Sequence, residues 1–142
     1  EWPSDLGPEL SRGFRALKVW FALKEYGVTA FARAIAKNCR QAEYLAGLVR
    51  LSPGAELLSP PSLNIVCFRF RPPGWDEAAL DRLNEDVVVD LQESGVAAPS
   101  TTRIQGALAI RVNLTNHRTR RQDLDLLVRA AAEAAGKRIA AR

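Results

Sequence analysis

The sequence contains no methionine, one histidine and only two cysteines. Each scarcity closes a route to function. Cys39 and Cys67 stand far apart with no second Cys/His pair, which excludes the common zinc patterns and favours two reduced thiols. His117 follows a strand-like run but has no neighbouring carboxylate or serine, so it reads as a loop residue rather than a catalytic base. No serine, cysteine or lysine sits in a recognisable nucleophile context, and no glycine-rich phosphate loop appears. No apolar run approaches the ~18 residues of a membrane span. The opening Glu1-Trp2-Pro3-Ser4-Asp5 lacks the basic-then-apolar pattern of a signal peptide. Zero methionines in a chain that opens on glutamate lead us to expect a piece of a longer polypeptide, because removal of an initiator methionine normally requires a small residue after it.

What is present fits one globular domain. The 142 residues are 47% hydrophobic and 25% charged, enough to bury a core and too apolar for disorder. The net charge of +4 is spread along the chain, and only Arg118, Arg120 and Arg121 cluster. These three fit a solvated loop and helix start, or a phosphate-binding patch; a nucleic-acid face would gather more.

Residues 1–10 hold two prolines and a glycine and read as a connecting segment. From Ser11 to Tyr26, Phe14, Leu17 and Phe21 recur at helical spacing, while Ala16, Val19, Trp20 and Leu23 cover much of the remaining circumference. A helix apolar nearly all round needs cover on more than one side. Gly27 ends it. Thr29 can cap a second helix, whose stripe is Phe31, Ile35, Cys39, Ala42, Leu45 and Val49 and which must end by Ser52, before Pro53-Gly54.

Short strands follow at Glu56–Leu58 and Ile65–Arg71. The second alternates Val66, Phe68 and Phe70 with a polar outer face of Cys67, Arg69 and Arg71. Asp76 caps a third helix with Leu80, Leu83, Val87 and Leu91 buried, and Gly95 closes it. Strands are expected at Val96–Thr102 and, after a turn at Gly106, at Ala107–Leu114. Thr119-Arg120-Arg121-Gln122 matches a capping box before a helix burying Leu124, Leu127, Val128, Ala131 and Ala135. Helices gathered against three or four mainly antiparallel strands describe an α+β two-layer domain preceded by a long apolar helix.

Arg111 is the candidate site residue. Leu108, Ile110, Val112 and Leu114 point into the core, so Arg111 points the other way, between Ala109 and Asn113. Small and polar neighbours leave room for a planar anion beside a guanidinium that stays charged at any working pH. A solvent-face strand arginine explains the same pattern, and Arg69 shares the ambiguity.

The stretch WPSDLGPELSRGFRALKVWFALKEYG, Trp2 to Gly27, resembles a segment of the group II pyridoxal-dependent amino-acid decarboxylases. Its core, Phe14 to Gly27, is similar to the aromatic-amino-acid branch. The second helix, NIVCFRF at Asn64–Phe70 and LAIRVNLTNHRT at Leu108–Thr119 continue the likeness more loosely, in the family's order. The resemblance implies the C-terminal small domain of a fold-type I enzyme at 11–142, with 1–10 leading from a large domain that is not in this chain. It implies pyridoxal phosphate as cofactor of a cytoplasmic, homodimeric parent acting on an amino acid, with neither nucleic acid nor membrane as partner. The cofactor lysine of the family follows a histidine; Lys18, Lys24, Lys37 and Lys137 do not. The fragment is therefore expected to hold no cofactor-binding, catalytic or metal-ligating residue and to be inert alone. Arg111, in RVNLTN, looks like the small-domain arginine that contacts a substrate carboxylate. Gly13 stands where relatives often carry a basic residue, so Ser11-Arg12-Gly13 is assigned no role. Two rival readings are another fold-type I enzyme, such as an aminotransferase or lyase, and a free-standing α+β ligand-binding module.

Overall fold

Hydrophobic periodicity decides most of the architecture. The computed structural model describes Trp2, Asp5 and residues 13–141. The described elements run α1 (Arg15–Leu51), β1 (Ala55–Leu57), β2 (Ile65–Phe70), α2 (Glu77–Glu93), β3 (Ser100–Ile104), β4 (Ala107–Asn113) and α3 (Arg121–Ala140). The connecting segment expected at 1–10 lies outside the described residues, apart from Trp2 and Asp5. By its contacts the chain forms two compact units, Glu1–Ala34 and Ile35–Arg142.

In the first unit the helix begins at Arg15, so Gly13 and Phe14 lie ahead of it. The break expected at Gly27 is there: its φ of 72° and ψ of 159° interrupt the helical run. Only glycine takes that conformation without a Cβ penalty. The aromatic and aliphatic side chains of this stretch are largely uncovered, with Phe14 73%, Trp20 52% and Phe21 57% exposed.

The second unit holds an antiparallel sheet in the order β1-β2-β4-β3. Val66 pairs with Val112 and Phe68 with Ile110, so one face of the two central strands is apolar. Against it lie Ala42, Leu45, Ala46 and Val49 of α1, the Leu83–Val87–Leu91 stripe of α2, and Leu124, Leu127, Val128, Ala131 and Ala135 of α3. This is the expected two-layer α+β arrangement. Phe31 and Ile35, assigned to the same α1 stripe, are instead 37% and 58% exposed.

Local signals explain the element ends. Asp76 caps α2, its carboxylate accepting from the Ala79 amide at 2.7 Å. Gly95, at φ 70°, follows the last turn. Gln105 and Gly106, both with positive φ, join β3 to β4 as a two-residue hairpin.

Three expectations shift. The strand expected at Val96–Thr102 begins only at Ser100. Residues 97–99 close the end of α2 instead: the Ala97 amide donates to the Leu91 carbonyl, and Gln92 Nε2 donates to the Pro99 carbonyl. The start of α3 slips by one residue. Arg120 takes the cap position and donates its amide to Asp123 Oδ2 at 2.8 Å, while the Thr119 amide, which the expected box would offer to Gln122, donates to the Asn116 carbonyl at 3.1 Å and the Thr119 carbonyl accepts from Gln41 Nε2 at 2.7 Å. The outer face of β2 is not solvated: Cys67 and Arg69 are only 7% and 4% exposed. Arg69 is drawn onto the sheet by Glu56, its cross-strand neighbour, at 2.6 Å and by Glu77 at 2.7 Å. Burial opposes its charge, yet the two carboxylate hydrogen bonds outweigh this and hold its pKa above the ordinary value.

Candidate functional site

Sequence reasoning left two strand arginines open, and the structure separates them. Arg69 is buried and doubly paired. Arg111 is half-buried and its side chain, among the described residues, has no hydrogen bond or ion pair.

Strand register builds the surroundings of Arg111. Its Cα partners are Cys67 on β2 and Ser100 on β3, both small, so no neighbour of comparable bulk stands across from it. It lines a cleft of about 480 Å³ at the end of the sheet, shared with Ser100, Asn113, Asn116, Thr119 and Asp123. Asp123 brings a negative charge, but one of its oxygens is committed to the Arg120 amide. Burial pushes the Cys67 thiol up in pKa, partly offset by the Arg111 charge. The thiol is therefore held neutral beside the cation and does not neutralise it. A guanidinium presents a fork of N–H donors whose geometry matches a carboxylate.

The loop that closes the cleft is anchored to α1. Three α1 side chains at helical spacing hold it: Lys37 Nζ donates to the His117 carbonyl at 2.8 Å, Gln41 to Thr119, and the Tyr44 hydroxyl to Asp125 Oδ1 at 2.7 Å. That hydrogen bond to a carboxylate, with burial, raises the Tyr44 pKa. His117 contributes its backbone carbonyl here, and its side chain is exposed. The arginine cluster is divided rather than convergent. The Arg118 amide bonds Asn116 Oδ1, Arg120 opens α3, and Arg121 lies over the Tyr44 ring at 5.0 Å. No group of three or more His, Cys, Asp and Glu side chains could hold a metal ion among the described residues.

Sequence reasoning missed three polar side chains. Asn84 stands on the apolar stripe of α2 between Leu80 and Val87, a position whose only sequence signal was an amide at core spacing. Asn64 lies just before β2 and bonds across to β4. Gln41 is buried with its Oε1 unpartnered.

A four-stranded antiparallel sheet under helices, with a half-buried arginine lining a cleft at its end, defines an α+β domain. Comparison with known proteins gives the family. Residues 5–71 match the pyridoxal-dependent decarboxylase conserved domain. The chain is 36% identical over 121 residues to an aromatic-L-amino-acid decarboxylase of Bacillus atrophaeus, covering 84% of this chain and 25% of that protein. It is 30% identical over 115 residues to the histidine decarboxylase of Homo sapiens, covering 81% of this chain and 16% of that protein. The Oryza sativa TDC, solved with PLP and tryptamine, superposes with a TM-score of 0.83 at 22% identity, over 96% of this chain and 29% of that one. The glutamate decarboxylase domain of a Vibrio parahaemolyticus diaminobutyrate-pyruvate transaminase and L-2,4-diaminobutyrate decarboxylase gives 0.75 at 26% identity, over 86% of this chain and 26% of that one. The chain belongs to the pyridoxal-dependent decarboxylases and is a segment of one, spanning about a quarter or less of the curated relatives it matches.

Proposed function

We propose that this chain is the C-terminal small domain, residues 11–142, of a pyridoxal-phosphate-dependent amino-acid decarboxylase, with 1–10 leading from the large domain. In that reading the parent is a cytoplasmic homodimer. Its large domain holds the cofactor, which supplies the electron sink for loss of carbon dioxide. The residues of this chain do not fit the cofactor: none of its four lysines follows a histidine, and Lys37 is occupied at the His117 carbonyl. Inertness of the isolated chain follows from the same reading.

The contribution of this chain is orientation. Arg111 binds the α-carboxylate of the substrate, fixing which bond faces the reaction centre, and the surrounding wall of the cleft excludes water. The observation that carries this is a half-buried guanidinium with no partner among the described residues, since a desolvated charge is retained at a cost unless something pairs with it. Identity to relatives named for aromatic amino acids, tyrosine and histidine supports an amino acid as substrate.

The test uses the full-length polypeptide that carries this chain, assayed with tyrosine, tryptophan, histidine and glutamate. Arg111→Met should raise KM for the preferred amino acid about 10- to 100-fold, the worth of one or two hydrogen bonds to a charged group. An unchanged KM would remove Arg111 from the substrate site.

A further inference from the structure

The cleft beside Arg111 contains a second side chain whose orientation is dictated by its neighbours. Asn113 lies two residues further along β4, on the same face as Arg111 and about 7 Å away along the strand. It is exposed and lines the same cleft. Asn64 Nδ2 donates to the Leu114 carbonyl at 3.0 Å and to Asn113 Oδ1 at 2.8 Å, while the Asn64 carbonyl accepts from the Leu114 amide at 2.9 Å.

Hydrogen-bond logic fixes both amides. A backbone carbonyl can only accept, so the group of Asn64 that faces Leu114 must be its NH2. The same NH2 faces Asn113, so the atom Asn113 presents to it must be oxygen. The NH2 of Asn113 is thereby turned away from Asn64, and it has no partner among the described residues. The backbone bond between Leu114 and Asn64 holds this clasp rigid.

We propose that Asn113 is a second carboxylate-binding residue, donating from Nδ2 to one oxygen of the substrate carboxylate while the Arg111 guanidinium holds the other. Asn64 is its positioning residue. This rests on the reading of Arg111 given above and adds to it a specificity element: two donors spaced along one strand select a planar, two-oxygen anion over a spherical one. Such a contact is made to the group that departs as neutral carbon dioxide. It is therefore strongest in the bound substrate and weakens as the bond breaks, so its removal raises KM and does not lower kcat.

The experiment compares Asn113→Ala, Asn113→Asp and Asn64→Ala in the full-length polypeptide, with 3-phenylpropanoate and chloride as inhibitors besides the preferred amino acid. Asn113→Asp keeps the oxygen that Asn64 needs but replaces the free donor with negative charge. Asn113→Ala loses both. A donor role predicts that Asp is worse than Ala: KM and the 3-phenylpropanoate Ki rise about 10-fold in Ala and about 100-fold in Asp, with kcat within twofold and chloride inhibition unmoved. Asn64→Ala gives a smaller rise of the same kind. A purely structural role predicts the reverse order, with Asp close to wild type in KM and in urea midpoint, and that order overturns the proposal. If Arg111→Met raises KM while both Asn113 variants match wild type, only this inference fails. If Arg111→Met also leaves KM unchanged, the reading beneath it fails as well.

Discussion

At the scale of single residues, the structure depends most on polar groups that a periodicity argument passes over. The pairing of β2 with β4 extends from Ile65 to Phe68, leaving the backbone of Phe70 without a strand partner on that side. Asn84, fully buried in α2, replaces the missing strand. Its Oδ1 accepts from the Phe70 amide at 2.7 Å, and its Nδ2 donates to the Phe70 carbonyl at 2.9 Å and to the Leu80 carbonyl at 2.8 Å. Asp81 performs the matching task on β4 by accepting from the Leu108 amide at 3.1 Å. Replacing Asn84 by leucine preserves volume but strands two buried backbone groups, so urea unfolding should lose about 2–4 kcal/mol. Asn84→Asp should lose at least as much, because its carboxylate would face two carbonyls. A leucine variant as stable as wild type would show that Phe70 finds other partners.

Element by element, what could be read from the sequence was what repeats. Alternation in Ala107–Leu114, the Asp76 cap, the Gly95 stop and the 3.6-residue stripes of α2 and α3 all carry local signals, and the structure places each within a residue or two. The failures are tertiary in origin. Thr119 and Gln122 form a sound capping box on paper, but the Thr119 amide donates to the Asn116 carbonyl, its own carbonyl is held by Gln41 of α1, and the helix begins one residue later. Cys67 and Arg69 alternate like an outer face, yet two carboxylates from β1 and α2 hold Arg69 against it. Arg111 was legible as an outward side chain in β4, but its lack of a partner was not, since Arg69 has the same local pattern. The first-unit stretch of α1 gives the clearest element-level consequence. Its near-continuous apolar surface leaves Trp20 and Phe21, with Phe14 just ahead of the helix, each more than half exposed. Exposed apolar area of this kind drives association. Light scattering should therefore show mass rising with concentration, and the pair Phe14→Glu, Phe21→Glu should return it to that of a monomer. A strict monomer at high concentration would mean that this face is tolerated by water.

For the molecule as a whole, holding a substrate and transforming it are separate tasks, and under the proposed function the residues of this chain serve the first. Lys24 lies over the Trp20 ring, 5.6 Å from its centre, Lys37 is bound to the His117 carbonyl, and among the described residues no lysine lines the Arg111 cleft. In that reading a carboxylate bound at Arg111 would stabilise the intact amino acid without completing the reaction, because the electrons left by departing carbon dioxide need an acceptor held in register with the bond that breaks. The chain alone, supplied with pyridoxal phosphate and carboxyl-labelled tyrosine, tryptophan or histidine, should release no more labelled carbon dioxide than pyridoxal phosphate does by itself. Mixing it with the remaining part of the full-length polypeptide should restore release, and chain carrying Arg111→Met should restore it only at much higher substrate concentration. Release above the cofactor blank by the chain alone would place a reaction centre within these 142 residues, and loss of that release in a single lysine variant would say which side chain provides it.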